Sequence, residues 1–166
     1  MATLIAIPVL GLLVIFQSAV VSRIPLLYGT ADIVLLALLA WAVQERVTTA
    51  WHWSLIGAFL VSMVTAAPVV AIVGGYLLAT LIARLLRRRV WQVRLLAMLA
   101  ATFLGTLLVQ SLTALLLRLN GVNIPLLEAF NIIVLPSALL NLIGAVPVYA
   151  LIGDLANWLY PEEIEL

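Results

Sequence analysis

Apolar residues run through this chain in six long stretches, and charge is confined almost wholly to the gaps between them. The stretches are residues 2–20, 26–44, 50–66, 68–83, 95–117 and 132–152. A helix needs about 20 apolar residues to cross ~30 Å of hydrocarbon, and inside lipid every backbone polar group must be paired. The pattern predicts an all-α integral membrane protein, a bundle of six transmembrane helices forming a single domain over residues 1–166. Composition closes off the soluble alternative: 66% of residues are hydrophobic and 9% charged, whereas a soluble domain carries about a quarter charged.

Two stretches are marginal. The second is interrupted at Gly29-Thr30-Ala31-Asp32 and crosses only if residues 26 to 30 contribute, as a broken helix or an extended lead-in. The fourth is short unless the first arginines after it snorkel. Five spans with one re-entrant segment is the alternative. No positive charge precedes the first stretch, which is also long for a signal core, so it reads as a retained span. Pro68 suits the first turn of a helix, and Arg118-Leu119-Asn120-Gly121 reads as a turn.

The arginines orient the bundle. With the N-terminus inside, inner loops hold Arg46, Arg84, Arg87, Arg88, Arg89 and Arg94, and outer loops hold Arg23 and Arg118. The excess of basic residues on the cytoplasmic side predicts that both termini are cytoplasmic. Trp51, Trp53, Trp91 and Trp158 then fall near the inner interface, where indole rings prefer to sit.

Several function classes find no residues to support them. There is no cysteine and a single histidine, so neither a thiolate nor a histidine metal cage is available. No phosphate loop or zinc motif occurs. His52, between two tryptophans, has only Glu45 and Ser54 near it in sequence and reads as interfacial. Asp32 reads as a shallow helix cap with Arg23 as its loop partner. The arginine cluster is explained by topology and anionic membrane lipid rather than by nucleic acid. The expectation is a non-enzymatic protein without cofactor or metal.

Small and polar residues suggest how the helices meet. Ser54, Ala58, Ser62 and Ala66 recur every four residues, as do Ala67, Ala71, Gly75, Ala79 and Ala83. Four-residue spacing keeps each set on one face, which predicts a close hairpin of the third and fourth spans. Ala97, Ala101 and Gly105 continue the theme in the fifth. Thr102, Thr106, Gln110 and Thr113 there, with Ser137 and Asn141 in the sixth span, form polar stripes. Thr106, Gln110, Ser137 and Asn141 are expected to make interhelical contacts; the alternative is that the amides line a ligand pocket.

The order of features resembles the MreD family, the small membrane subunit of the bacterial rod-shape machinery, over most of the chain. The likeness rests on three pieces. The first is Ala31-Asp32-Ile33-Val34-Leu35-Leu36 leading to Trp41-Ala42. The second is Thr65-Ala66-Ala67-Pro68, followed by Gly74-Gly75-Tyr76 and the arginines. The third, and most specific, is Leu135-Pro136-Ser137-Ala138-Leu139-Leu140-Asn141 running to Pro147-Val148-Tyr149. The chain departs from the family in having Ala31 where proline is frequent, and Ser62 where an acid is frequent.

The resemblance implies a multi-pass scaffold in the bacterial plasma membrane, supporting peptidoglycan synthesis and cell shape. Its implied partners are an MreC-like single-span protein, the elongation synthase (a RodA-type glycosyltransferase and its transpeptidase) and MreB. The implied fold is that of the substrate-binding subunits of energy-coupling vitamin transporters. A partner helix would then pack on a small-residue face, expected at Ala71, Gly75 and Ala79. The kinship also supplies an alternative function, a solute-binding transporter subunit with a pocket of Gln110, Asn141 and Tyr76 or Tyr149.

Overall fold

The computed structural model describes residues 2–89, 94–123 and 125–161, and among these the structure is helical, without strands. In order come α1 (Ala2–Ala19), a short 3-10 turn (Val21–Arg23), α2 (Ile33–Val43), α3 (Ala50–Ser62), α4 (Val69–Arg89) and α5 (Arg94–Leu119). Then α6 (Leu126–Ala129), a π turn (Phe130–Val134) and α7 (Leu135–Leu159) run on without a break. Trp91 and the acidic residues from Glu162 onward lie outside the described residues.

Among the described residues, four helical stretches are long and apolar enough to cross a membrane: Ala2–Arg23, Val69–Arg88, Arg94–Leu119 and Leu126–Leu159. This supports a multi-pass membrane protein. The other two expected spans are shorter as helices, 11 residues in α2 and 13 in α3. α4 continues over Arg84, Arg87 and Arg88, because arginine is a good helix former and its long stem can carry the charge away from lipid.

The short α2 is the centre of the bundle. Every residue from Val34 to Val43 is buried, and α1, α3, α4, α5 and α7 all pack against it. Successive residues of α2 project about 100° apart, so Leu36, Leu38 and Leu39 meet glycines on three neighbours. An added Cβ would lie 3.1 Å from Leu36 at Gly144 of α7, 3.0 Å from Leu38 at Gly57 of α3, and 3.2 Å from Leu39 at Gly105 of α5. The glycines are the hollows that let five helices close around one.

The α3–α4 hairpin is joined through buried Ser54 and Thr80, whose hydroxyls lie 2.9 Å apart. α3 ends at Ser62, so Ala66 falls in the connecting loop. The small-residue face of α4 serves mainly α5: Gly75 lies against Val109, and Ala79 against Gly105.

Arg46, Arg84, Arg87 and Arg94 gather at one end with the start of α1 and the end of α7. Arg87 donates to the Gln44 carbonyl at 2.7 Å, closing the C-terminal end of α2. Arg94 pairs with Glu45 at 3.3 Å, and Arg46 donates to the Tyr160 carbonyl. Arg84 lies over the ring of Trp51, which is partly exposed as an interfacial indole should be. Trp53 differs from that expectation. It is fully buried, stacked on Trp41 at 4.1 Å, with its indole N–H donating to the Ala2 carbonyl. Placed one turn inside the helix start, it faces the core rather than lipid.

Candidate functional site

Proline at position 136 sets the site's geometry. Within a helix it removes the N–H that would bond to the carbonyl four residues back, here Ile132. The chain answers in two ways. The preceding turn widens to a π turn, with the Leu135 N–H reaching the Phe130 carbonyl, and the freed Ile132 carbonyl accepts from the Tyr28 backbone N–H at 3.1 Å. The non-helical segment ahead of α2 is thereby laid against α7.

That docking is tight. Gly29 is buried, and a Cβ there would come within 2.6 Å of the Ser137 backbone nitrogen and 2.7 Å of the Ile133 oxygen. The Thr30 N–H donates to the Ser137 hydroxyl at 3.2 Å. Leu26 and Gly29 pair through both backbone hydrogen bonds, and Leu27 between them has φ 56°, a left-handed conformation that costs a leucine. The second span is thus an extended lead-in followed by a short helix.

The lead-in delivers Asp32. Its carboxylate Oδ1 accepts from the Leu35 N–H at 3.0 Å, capping α2. Oδ2 accepts from the Tyr76 hydroxyl of α4 at 2.7 Å. Its backbone N–H donates to Asn141 Oδ1 of α7 at 2.7 Å, and the Asn141 amide donates to Thr106 of α5 at 2.9 Å. In the first turn of α2, the Val34 N–H donates to the Gln17 side-chain oxygen of α1 at 3.0 Å. A single polar cluster therefore ties α1, α2, α4, α5 and α7 together.

Asp32 caps its helix, but it is not shallow. Thr106 lies about 18 Å from one end of α5 and about 20 Å from the other, at 1.5 Å per residue. Asp32 reaches it through one amide side chain, so it lies near the middle of the bundle. Its partner is the Tyr76 hydroxyl, and no ion pair joins it to the exposed Arg23 among the described residues. An acid at this depth is a functional group by default, because a charge in hydrocarbon is costly to keep.

Asp32 also borders a cleft of about 470 Å³, at the end of the bundle opposite Arg46, Arg84, Arg87 and Arg94. The cleft is walled by the ends of α1 and α3, the starts of α2 and α4, and the later half of α5. Gln17, Thr30, Thr65, Gln110 and Thr113 give it a polar side; Val61, Val64, Ile72 and Val109 give it an apolar one.

The sequence-derived residues divide clearly. Thr106, Ser137 and Asn141 all join helices or the lead-in to α7. Gln110 makes no hydrogen bond to the described residues and faces the cleft instead. Tyr149 is half-buried against the core and does not line the cleft. The expected partner face requires correction: Ala71, Gly75 and Ala79 are all buried inside the chain, and α5 occupies that face. Thr102 is buried with its hydroxyl unpaired. His52 is exposed. Among the described residues no three histidine or acidic side chains gather to hold a metal.

The sequence reading missed Gln17 and the role of the Tyr28 backbone. Pro136 carried a signal for the second, since a proline inside a helix always leaves a carbonyl to be satisfied elsewhere. No protein-family model, curated protein or solved structure matches this chain.

Proposed function

We propose that this chain is a non-enzymatic, six-pass scaffold subunit of the MreD kind. It lies in the bacterial plasma membrane with both termini in the cytoplasm. It binds an MreC-like single-span protein and, with the elongation synthase and MreB, supports peptidoglycan synthesis. α2 completes its crossing with the lead-in from Ile24 to Asp32, and α3 crosses as a short helix with its flanking residues.

One observation supports this reading most. The three separate pieces that carry the resemblance converge on one joint: Asp32 from the first, Tyr76 from the second, Pro136, Ser137 and Asn141 from the third. Chance likeness between apolar sequences has no reason to select residues that cooperate in one place. Since the α4 stripe is spent on α5, the partner helix packs on an outward face.

A second reading is favoured by the cleft. A solute-binding transporter subunit would use Gln110 on the wall, with Tyr76 and Asn141 holding Asp32 at the floor. Native mass spectrometry of the tagged protein, extracted gently from its own membranes, separates the two. The scaffold reading expects a complex with a single-span, coiled-coil-bearing protein. An ATPase partner, or a small molecule bound in near-stoichiometric amount, would replace it with the second.

A further inference from the structure

The lining of the cleft is one-sided in charge and mixed in hydrogen-bonding groups. The Ser18, Ser22 and Thr113 hydroxyls each donate to the backbone carbonyl four residues back, at 2.8, 2.7 and 2.8 Å. Their protons are committed, and their lone pairs remain. Thr65 accepts from the Ala67 N–H, and a hydroxyl oxygen keeps a second acceptor position. Asp32 is the one charged side chain among the lining residues; its carboxylate accepts from the Leu35 N–H and the Tyr76 hydroxyl, the Gln17 amide also reaches it, and with about four lone-pair sites it keeps room for a further donor. No arginine lines the cleft. The site therefore offers hydroxyl and carboxylate oxygens, the Gln110 amide and a single negative charge, against an apolar wall of Val61, Val64, Ile72 and Val109.

An anion would meet a carboxylate with no cation among the lining residues to offset it. A neutral hydroxyl would use one acceptor. A primary ammonium brings three donors and a positive charge, and its hydrogen bonds to a carboxylate are the strong, charge-assisted kind. A volume of about 470 Å³ falls in the range that holds small organic ligands. We propose that the cleft is a binding site for a primary ammonium carried on an apolar body, with Asp32 as its counter-ion and Gln110 as a second contact. The ammonium comes either from a free amine or from a lipid headgroup. The proposal needs only the cleft, not the scaffold assignment: a partner complex found without amine binding would leave the scaffold reading in place and remove this one.

The test uses the full-length protein in phosphatidylcholine nanodiscs, with empty discs as the partition control. Three probes of one shape are titrated by saturation-transfer NMR: 1-naphthylmethylamine, 1-naphthalenemethanol and 1-naphthoate. The expected order is amine, then alcohol about tenfold weaker, the worth of one charge-assisted hydrogen bond, then the anion undetectable. Asp32→Asn keeps one oxygen to cap α2 and places an NH2 that can donate to the Tyr76 hydroxyl where Oδ2 stood, while removing the charge, and it should bring amine and alcohol to equal affinity. Gln110→Leu, at a residue that holds no other helix, should weaken the amine several-fold without changing thermal unfolding, and it serves if the Asp32 variant does not fold. Phosphatidylethanolamine in the discs displaces the amine if a lipid headgroup is the occupant, and has no effect if a free amine is. Equal binding of amine and alcohol by the native protein, preference for the anion, or an amine preference that survives Asp32→Asn would overturn the proposal.

Discussion

α1 and α2 are alike in sequence and opposite in place. Both are apolar around their whole circumference, and neither carries a charge within its helix. Yet α1 buries only Ala6, Leu10 and Val14, while α2 buries all of Val34 to Val43. A helix surrounded by protein and a helix facing lipid both need apolar side chains on every side. Hydropathy therefore reports exclusion from water and is silent on what replaces it. The neighbours make the difference: glycines stand opposite Leu36, Leu38 and Leu39 of α2, whereas Gly11 of α1 has nothing within 4 Å of the position its Cβ would take.

The largest effect should come where α2 is held by backbone rather than side chains. Gly29→Ala places a methyl group against the Ser137 nitrogen and the Ile133 oxygen, neither of which can rotate away. The expected result is loss of the folded bundle, read as aggregation on gel filtration in mild detergent. Recovery of a monodisperse protein of native stability would mean that the lead-in is not seated on α7.

Next comes a matched pair of truncations. Leu36→Ala, fully buried, should cost about 3 kcal/mol of stability through the cavity it leaves. Leu12→Ala on α1, 68% exposed, should be near neutral because lipid fills the space. Both are read from reversible unfolding in mixed micelles. Equal costs would erase the distinction between the two helices.

Asp32→Ala removes the cap of α2 and the acceptor for Tyr76, for about 2 kcal/mol. Asn141→Leu strands the Asp32 N–H and should cost about 1 kcal/mol. Gln110→Leu should leave stability unchanged, since Gln110 joins no helices. A large loss from Gln110→Leu would return it to the structural role expected from its spacing.

The smallest effect, and of opposite sign, is expected at Gly11→Ala. With open space around it, alanine's better helix propensity should stabilise α1 by about 0.5 kcal/mol. The same change at Gly105 should destabilise, because Leu39 and the Ala79 methyl group already lie at 3.2 and 3.3 Å.

By itself the sequence determined the solvent and the helices. Stretches of apolar residues with charge almost wholly between them leave lipid as the stable surrounding, and internal hydrogen bonding in lipid leaves helices as the conformation. It also placed the break ahead of Asp32 and the polar positions at Thr106, Ser137 and Asn141, since amides and hydroxyls inside an apolar run are conspicuous. Only the tertiary structure decided which apolar helix is central, that the α4 stripe is an internal seam, and that Asp32 stands at mid-depth beside a cleft. Those properties belong to pairs of elements far apart in the chain. Apolar contacts carry no direction, so periodicity can mark a face as buried without naming what buries it. The arrangement followed from fit: leucines into glycine hollows, and one carbonyl freed by Pro136 and satisfied by Tyr28.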